Sequence, residues 1–132
     1  MPGSLLTEIV DDALKAVTFT GSGVVLDFGD AWYTVHGWPS VAIGADTWRF
    51  GDRGYRDALC ALISQPVTAV EDSSDHGIVL IFALGQIATK PQPGEADGPE
   101  VAQLAIYDPM YQRSHLAIWR AGEGSFSGPE WD

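Results

Sequence analysis

A strand-turn-strand pattern that occurs twice constrains the fold of this chain more than any other feature of its sequence. Residues 16–19 and 23–28 (AVTF and GVVLDF) match residues 66–69 and 77–82 (PVTA and GIVLIF), with four more residues in the second turn. Short apolar runs that begin or end at glycine or proline are typical of β-strands. The pattern therefore predicts that one arrangement of strands is used in both halves of the chain.

Apolar residues also recur at helical spacing before each of these runs, over residues 4–15 and 55–63. Asp52 precedes the second helical run and is a suitable N-cap residue. We therefore predict an α+β fold in which two helices pack on one face of a mostly antiparallel sheet. The predicted unit is a helix followed by three strands, repeated over about residues 4–36 and 52–90.

The end of the chain predicts one more pair of strands and two irregular segments. Apolar residues in 101–107 and 115–120 predict a final antiparallel pair. Residues 90–100, which are rich in proline and acidic residues, predict a mobile surface loop, and residues 122–132 predict a flexible tail. Because 132 residues are enough to bury one core, we expect a single domain over residues 1–132.

The chain carries 18 acidic residues against 7 Lys and Arg, which gives a formal net charge of -11. Direct binding of nucleic acid requires a basic stripe that releases counterions, so we do not expect it. A strongly acidic surface instead favours fast, salt-sensitive association with a basic protein. Solubility alone is the other interpretation of this charge.

The compartment is predicted from what the sequence lacks. No run of eighteen apolar residues and no signal peptide is present, so we predict a cytoplasmic protein that does not enter a membrane. Its single cysteine, Cys60, cannot form an internal disulfide, which agrees with a reducing compartment. Cys60 is predicted as a small core thiol beside the apolar face of the second helix.

The densest aromatic region provides the first set of candidate binding residues. Trp32, Tyr33, His36 and Trp38 follow one another closely, and Trp48 comes soon after. Strand alternation places Trp32 and His36 on one face and Tyr33 on the other, so one aromatic side must point away from the helices. These residues could line a ligand pocket or a partner-binding patch, or they could be ordinary core.

A second set of candidates lies in the acidic run from Glu71 to Gly77, which includes Asp72, Asp75 and His76. Carboxylates and an imidazole could bind a cation, but the spacing matches no calcium loop. Because the run joins two predicted strands, a solvated hairpin turn is the favoured interpretation, and we predict no metal site. Glu71, Asp72 and Asp75 remain candidates for contacts with a partner.

No catalytic motif accompanies these residues. The three histidines, His36, His76 and His115, are scattered, and the glycine-rich residues 122–128 do not fit a dinucleotide-binding fingerprint. No phosphate loop or nucleophile elbow is present. An enzyme of a familiar class is therefore disfavoured, and we predict neither a catalytic residue nor a cofactor.

Three segments carry a resemblance to other proteins: residues 48–52 (WRFGD), residues 57–71 from DALCALI to PVTAVE, and residues 117–123 (AIWRAGE). In these segments the chain resembles small acidic actinobacterial proteins of unknown function, some of which look like immunity proteins of toxin systems. The resemblance implies a compact α+β module that acts by binding. It implies no catalytic residue.

Three functional hypotheses follow. The first is a non-enzymatic module, immunity-like or antitoxin-like, that neutralises a basic protein through its acidic surface. The second is a small-molecule-binding protein or enzyme with a pocket near Trp32, His36, Trp38 and Trp48. The third is a nucleic-acid mimic, which requires carboxylates at phosphate-like spacing. A homodimer through an exposed sheet edge near residues 101–120 is also possible.

Overall fold

The computed structural model describes residues 5–73, 77–89, 100–108, 110 and 113–120. Most of the predicted loop at 90–100 and all of the predicted tail at 122–132 lie outside these residues, as do Asp75 and His76.

Two five-stranded antiparallel sheets make up most of the described chain. Sheet 1 has the strand order β1-β2-β3-β9-β10, and sheet 2 has the order β5-β4-β8-β7-β6. The strands are β1 Ala16–Phe19, β2 Val24–Asp27, β3 Ala31–Val35, β4 Ser40–Ile43, β5 Asp46–Trp48, β6 Val67–Ser73, β7 Gly77–Phe82, β8 Gly85–Thr89, β9 Glu100–Asp108 and β10 Arg113–Arg120.

The prediction of two helices on one face of a sheet is wrong. The described residues contain one short α-helix, α1 (Tyr55–Cys60), and a 3-10 helix (Leu5–Ile9), so the fold is mainly β rather than α+β. The first helix ends at Ile9 and α1 ends at Cys60. Asp11 and Ser64, which follow these ends, both have left-handed backbone conformations, with φ of 77° and 79°. Short isolated helices are marginally stable, so tertiary contacts decide where they end.

Those contacts form between the two segments that follow the helices, residues 11–14 and 64–67. They pair around an isolated antiparallel bridge between Ala13 and Pro66. Four backbone hydrogen bonds flank the bridge: Asp11 N to Val67 O (2.8 Å), Ser64 N to Leu14 O (2.6 Å), Leu14 N to Gln65 O (3.0 Å) and Val67 N to Asp12 O (2.9 Å). Ser64 lies 53 positions after Asp11, and Val67 lies 53 positions after Leu14. The bond from Asp11 N to Val67 O is therefore equivalent to the bond from Ser64 N to Leu14 O. In the same way, the bond from Leu14 N to Gln65 O is equivalent to the bond from Val67 N to Asp12 O.

The strands that follow are arranged in the same way in both halves. β1-β2-β3 and β6-β7-β8 are three-stranded meanders, and Val24 pairs with Val35 as Ile78 pairs with Thr89, 54 positions later. Each meander is then extended by a hairpin from the other half of the chain, since β9 pairs with β3 and β4 pairs with β8. The two halves therefore exchange their hairpins.

The first strand of each half shows where the predicted alignment fails. The sequence pattern equates Val17 with Val67, but the register pairs Val17 with Leu26 and pairs Val70 with Leu80. Val70 is therefore the structural equivalent of Val17. The predicted alignment sets the first strands of the two halves 50 positions apart, whereas Val17 and Val70 are 53 positions apart, as are Leu14 and Val67. The likeness of AVTF to PVTA is therefore a local match in the wrong register, which only the strand pairing reveals.

The inner faces of the two sheets share one hydrophobic core. Leu26 and Tyr33 of sheet 1 and Leu80 and Ile87 of sheet 2 are all fully buried in it. The Tyr33 hydroxyl donates a hydrogen bond to Thr89 Oγ1 across the core, at 2.8 Å. Burial raises the pKa of Tyr33, so this phenol is neutral at physiological pH.

Two predictions about α1 also require correction. Cys60, predicted as a core thiol, is exposed, because the buried face of α1 carries Tyr55 and Leu59 instead. The N-cap of α1 is Gly54, which has no side-chain cap hydrogen bond. Asp52 does not cap α1 and instead accepts a hydrogen bond from the backbone N–H of Arg49 (2.8 Å).

Candidate functional site

Strand alternation separates the aromatic residues predicted as one site. On β3, Trp32 is exposed on the outer face of sheet 1, whereas Tyr33 is buried in the core. His36 follows β3, is half-buried, and donates its backbone N–H to Val101 O at 2.8 Å. Its Nε2 is buried and has no hydrogen-bond partner among the residues that the structure describes.

The other two predicted tryptophans lie close to the start of α1. Trp38 stacks on Phe50, with ring centroids 4.1 Å apart. Trp48 pairs with the buried Val41, so its side chain lies on the inner face of sheet 2. It is close to Gly54 there, since a Cβ atom added to Gly54 would be 3.2 Å from Trp48 Nε1. Trp38 and Trp48 are therefore brought together around α1, while Trp32 lies on the outer face of the other sheet.

Trp32 belongs instead to an exposed patch formed by three strands of sheet 1. Strand pairing places Trp32 next to Ala105 and Ala105 next to Leu116, and Tyr107 follows on the same face of β9. Trp32 and Tyr107 are each 38% exposed, and Leu116 is 41% exposed. We refer to Trp32, Ala105, Tyr107 and Leu116 as the Trp32 face. Exposed apolar side chains that are contiguous, rather than scattered singly, are a feature of interaction sites.

Carboxylates border the Trp32 face at the β2-β3 turn. Asp27 pairs directly with Trp32, and the backbone O of Asp30 accepts a hydrogen bond from Tyr107 N at 2.7 Å. Burial, together with the negative charge of Asp30, raises the pKa of Asp12, while Lys15 opposes this shift. The charge of Asp30 thus acts on Asp12, and we group Asp12 with these carboxylates for that reason. We refer to Asp12, Asp27 and Asp30 as the acidic border.

The equivalent positions of sheet 2 carry different side chains. In sheet 1 one row of paired residues crosses the strands from β1 to β10: Ala16, Asp27, Trp32, Ala105 and Leu116. In sheet 2 the equivalent pairs run Ala69, Ile81, Gln86, Ala42, Thr47. Gln86 thus takes the place of Trp32, and Thr47 takes the place of Leu116. Because the strand pairing is the same, it does not by itself require an exposed Trp and Leu in sheet 1.

The predicted acidic residues lie away from the Trp32 face. The predicted turn at residues 71–76 is partly wrong, because β6 continues to Ser73 and includes Glu71 and Asp72. Glu71 is exposed on β6, which is an edge strand of sheet 2. Asp72 pairs with the buried Ile78 and is half-buried, so it points toward the inner side of the sheet. Glu71 and Asp72 therefore do not join the aromatic residues in one site.

Sequence reasoning missed Tyr107, Leu116 and Phe50 as exposed binding candidates. Tyr107 and Leu116 lie within the predicted final strand pair, and their alternation indicates a shared face. Their position next to Trp32 depends on the pairing of β9 with β3, which joins residues about 70 positions apart. No local pattern in the sequence contains that pairing.

The structure gives no sign of a metal centre or a membrane helix in the part of the chain that it describes. No group of three or more His, Cys, Asp or Glu residues there is placed to hold a metal ion. No helix there is both long and apolar enough to span a membrane. The chain matches no family model, no curated protein and no solved structure in the comparisons.

Proposed function

We propose that this protein is a cytoplasmic, non-enzymatic binding module of the immunity or antitoxin kind, and that its Trp32 face receives a basic protein partner. The observation that supports this proposal is the exposed Trp32 face with the acidic border at its edge. Three large apolar side chains, Trp32, Tyr107 and Leu116, are exposed there in one patch. Lys15 also lies at this border, since a Cβ atom placed on Gly29 would be 2.8 Å from Lys15 Cε.

The chemistry of the patch suits a protein partner more than a small ligand. Trp and Tyr are enriched among the few residues that carry most of the binding energy in interfaces. Here they lie on the outer face of sheet 1. Carboxylates at the rim and a net charge of -11 accelerate the approach of a basic partner and make its association sensitive to salt.

The comparison of the two sheets further supports this choice. Strand pairing and connectivity are alike around Trp32 and Gln86, yet one position carries an exposed indole and the other a polar amide. The same contrast exists between Leu116 and Thr47. Gln86 and Thr47 are polar where Trp32 and Leu116 are apolar, so we attribute the exposure of Trp32 and Leu116 to binding rather than to folding. The comparison is limited to these two positions, because Ile81 of sheet 2 is apolar where sheet 1 has Asp27.

The test measures how tightly the Trp32→Ala and Gln86→Ala variants bind a basic protein. The first partner to try is the product of a neighbouring gene. We expect Trp32→Ala to weaken binding about 30-fold, the effect of a residue worth roughly 2 kcal/mol at the centre of an interface. Gln86→Ala is the matched control at the equivalent position and should leave the affinity unchanged. Binding should also weaken as salt is raised.

Two results would contradict the proposal. One is the absence of any basic partner at low salt. The other is an equal loss of affinity in Trp32→Ala and Gln86→Ala, which would place the interface elsewhere. A nucleic-acid mimic is a less suitable alternative, because the centre of the Trp32 face is apolar rather than lined by carboxylates.

The predicted homodimer remains a proposal, and a variant of the same surface can test it. β10 is the last strand of sheet 1, so its outer edge is not paired with another strand of that sheet. Leu116 lies on this strand. Sedimentation of the wild type and of Leu116→Ala at several concentrations distinguishes self-association from binding of a different protein.

A further inference from the structure

Another exposed aromatic ring, outside the Trp32 face, lies just before α1. Phe50 is 53% exposed, yet its ring is held on two sides. It stacks on Trp38 with an angle of 16° between the ring planes, and it meets the edge of Tyr55 at a centroid distance of 6.1 Å. One face of the Phe50 ring is therefore covered by Trp38, and more than half of the side chain remains accessible.

The segment that carries Phe50 has a fixed backbone. Arg49 N donates to Asp52 Oδ2 at 2.8 Å, and Asp52 N donates to Arg49 O at 2.9 Å. Gly51 and Gly54 have φ of 97° and 88°, values that favour glycine. The ring is thus positioned before any ligand arrives, which lowers the entropic cost of binding.

A cleft of about 430 Å³ opens beside the ring. Phe50, Tyr55 and the charged residues Asp52, Arg56 and Asp57 line it, together with the glycine backbone. Its volume lies within the range of ligand sites, roughly 300 to 1,000 Å³. The cleft therefore combines an accessible aromatic surface with charged groups at its wall.

The cleft wall carries two carboxylates, Asp52 and Asp57, and one guanidinium, Arg56, so its formal charge is -1. The Arg56 guanidinium lies 5.6 Å from the centroid of the Phe19 ring, a cation–π contact that holds the group but leaves its charge in place. Within the described part of the chain, the Asp57 carboxylate has no hydrogen bond or ion pair, and Asp52 uses one oxygen to accept from Arg49 N. Arg49 and Arg53 are exposed nearby but do not line the cleft.

We propose that this cleft binds a planar organic cation that carries a guanidinium group. The cation stacks on the accessible face of Phe50 and donates hydrogen bonds to Asp52 and Asp57. Cation–π contact and charge-assisted hydrogen bonds act together in this geometry, since a guanidinium is planar and offers several N–H donors at its edge. This proposal is independent of the Trp32 face, because different residues carry it.

The first experiment compares two ligands of the same shape and different charge. N-acetyl-arginine amide and its uncharged citrulline counterpart are titrated into the full chain, and amide chemical shifts are followed by NMR. We expect the arginine compound to shift the signals of residues 50–57 and to bind at least ~10-fold more tightly than the citrulline compound, since charged hydrogen bonds are about twice as strong. Equal binding of both compounds, or preferential binding of inorganic phosphate, would overturn the proposal.

Substitutions then test each part of the cleft. Phe50→Leu keeps an apolar side chain but removes the ring, and Asp57→Asn removes a charge at constant shape. Each is expected to lower the association constant ~3- to 10-fold, in line with cation–π and ion-pair energies at exposed sites. Leu84→Ala and Asp46→Asn, at exposed positions outside the cleft, are the matched controls.

Thermal melting of every variant distinguishes loss of binding from loss of folding. Since Asp57 is exposed, Asp57→Asn remains informative even if Phe50→Leu is destabilised. Unchanged affinity in both variants would overturn the proposal. A comparison of agmatine with a blocked arginine-containing peptide separates the two sources of the cation, because tighter binding of agmatine indicates a free small molecule and tighter binding of the peptide indicates an arginine of a partner chain.

Discussion

At the scale of single residues, Tyr33 shows how one side chain can join the two sheets. Its position in β3 makes it the structural equivalent of Ile87 in β8, since each pairs with a buried leucine of the preceding strand. Tyr33 extends further than an aliphatic residue would, and its hydroxyl reaches Thr89 of the opposite sheet. A buried hydroxyl requires a partner of this kind, because an unsatisfied polar group in the core is costly.

We predict that Tyr33→Phe lowers the free energy of unfolding by about 1 to 2 kcal/mol, because Thr89 loses its hydrogen-bond partner across the core. Thr89→Val should have a similar effect. Chemical denaturation of both single variants and of the double variant measures the coupling, which we expect to be about 1 kcal/mol. Strictly additive effects would contradict a direct energetic link between the sheets.

A second prediction concerns Asp12, whose pKa is raised in the folded protein by burial and by nearby negative charge. The ionised carboxylate is therefore less favourable in the folded state than in the unfolded state. Its contribution to stability is greatest below its ordinary pKa of 3.8 and is lost as the pH rises through the folded value.

Asp12→Asn should consequently stabilise the protein at pH 7, by no more than about 0.5 kcal/mol because the side chain is partly solvated. The difference between variant and wild type should disappear below pH 3.8. Denaturation curves at several pH values measure both effects. A variant that is less stable than the wild type at pH 7 would show that the Asp12 carboxylate makes a stabilising contact instead.

At the scale of elements, the β1-β2 turn illustrates why glycine is required at one position and not at its neighbour. A Cβ atom on Gly23 would lie 1.9 Å from the Val35 carbonyl oxygen, whereas a Cβ atom on Gly21 would meet nothing within 4 Å. Gly23 therefore permits the close approach of β2 to the end of β3. Its role is steric, and the sequence shows only that both positions are glycine.

We predict that Gly23→Ala destabilises the protein by about 2 to 3 kcal/mol, since the backbone of β3 has to move to relieve the overlap. Gly21→Ala is the matched control in the same turn and should change stability by less than about 0.5 kcal/mol. Thermal unfolding of the two variants gives the comparison. Similar melting temperatures would contradict the steric role of Gly23.

The elements also show how far local patterns can be trusted. The strands predicted near residues 16–19, 24–28 and 78–82 are present, because alternation and bounding glycines are local properties. The predicted helices at 4–15 and 55–63 are much shorter in the structure. Their ends depend on the pairing of residues 11–14 with 64–67, a contact between segments that are distant in sequence.

At the scale of the whole molecule, the exchange of hairpins makes the two sheets depend on one another. Sheet 1 contains β9 and β10 from the end of the chain, and sheet 2 contains β4 and β5, which come directly after β3. The 3-10 helix packs against β6, and α1 packs against β4 and β1, so each helix also contacts strands from the other half of the chain. Neither half of the chain can complete its sheet without the other.

We therefore predict that the protein unfolds in a single cooperative transition. The fluorescence of the five tryptophans includes Trp48 in sheet 2 and Trp119 in sheet 1, which both pack in or against the core. Far-UV circular dichroism reports on both sheets together. The two signals should give the same midpoint in urea. Separate midpoints would show that one sheet melts while the other persists.

The sequence by itself determined the positions of most strands, the repeated order of three strands and the acidic charge of the surface. Each of these is a local or additive property, read from neighbouring residues or from a sum over the chain. The same information also separated Trp32 from Tyr33, because alternation places them on opposite faces of any strand.

Only the tertiary structure decided the strand order of the two sheets and where the helices end. It also decided which exposed side chains share a surface: Trp32 with Tyr107 and Leu116, and Phe50 with Asp52 and Asp57. The physical reason is that these groupings depend on strand pairing and packing between distant segments. Such contacts are chosen by the burial of the whole core, which no short stretch of sequence contains.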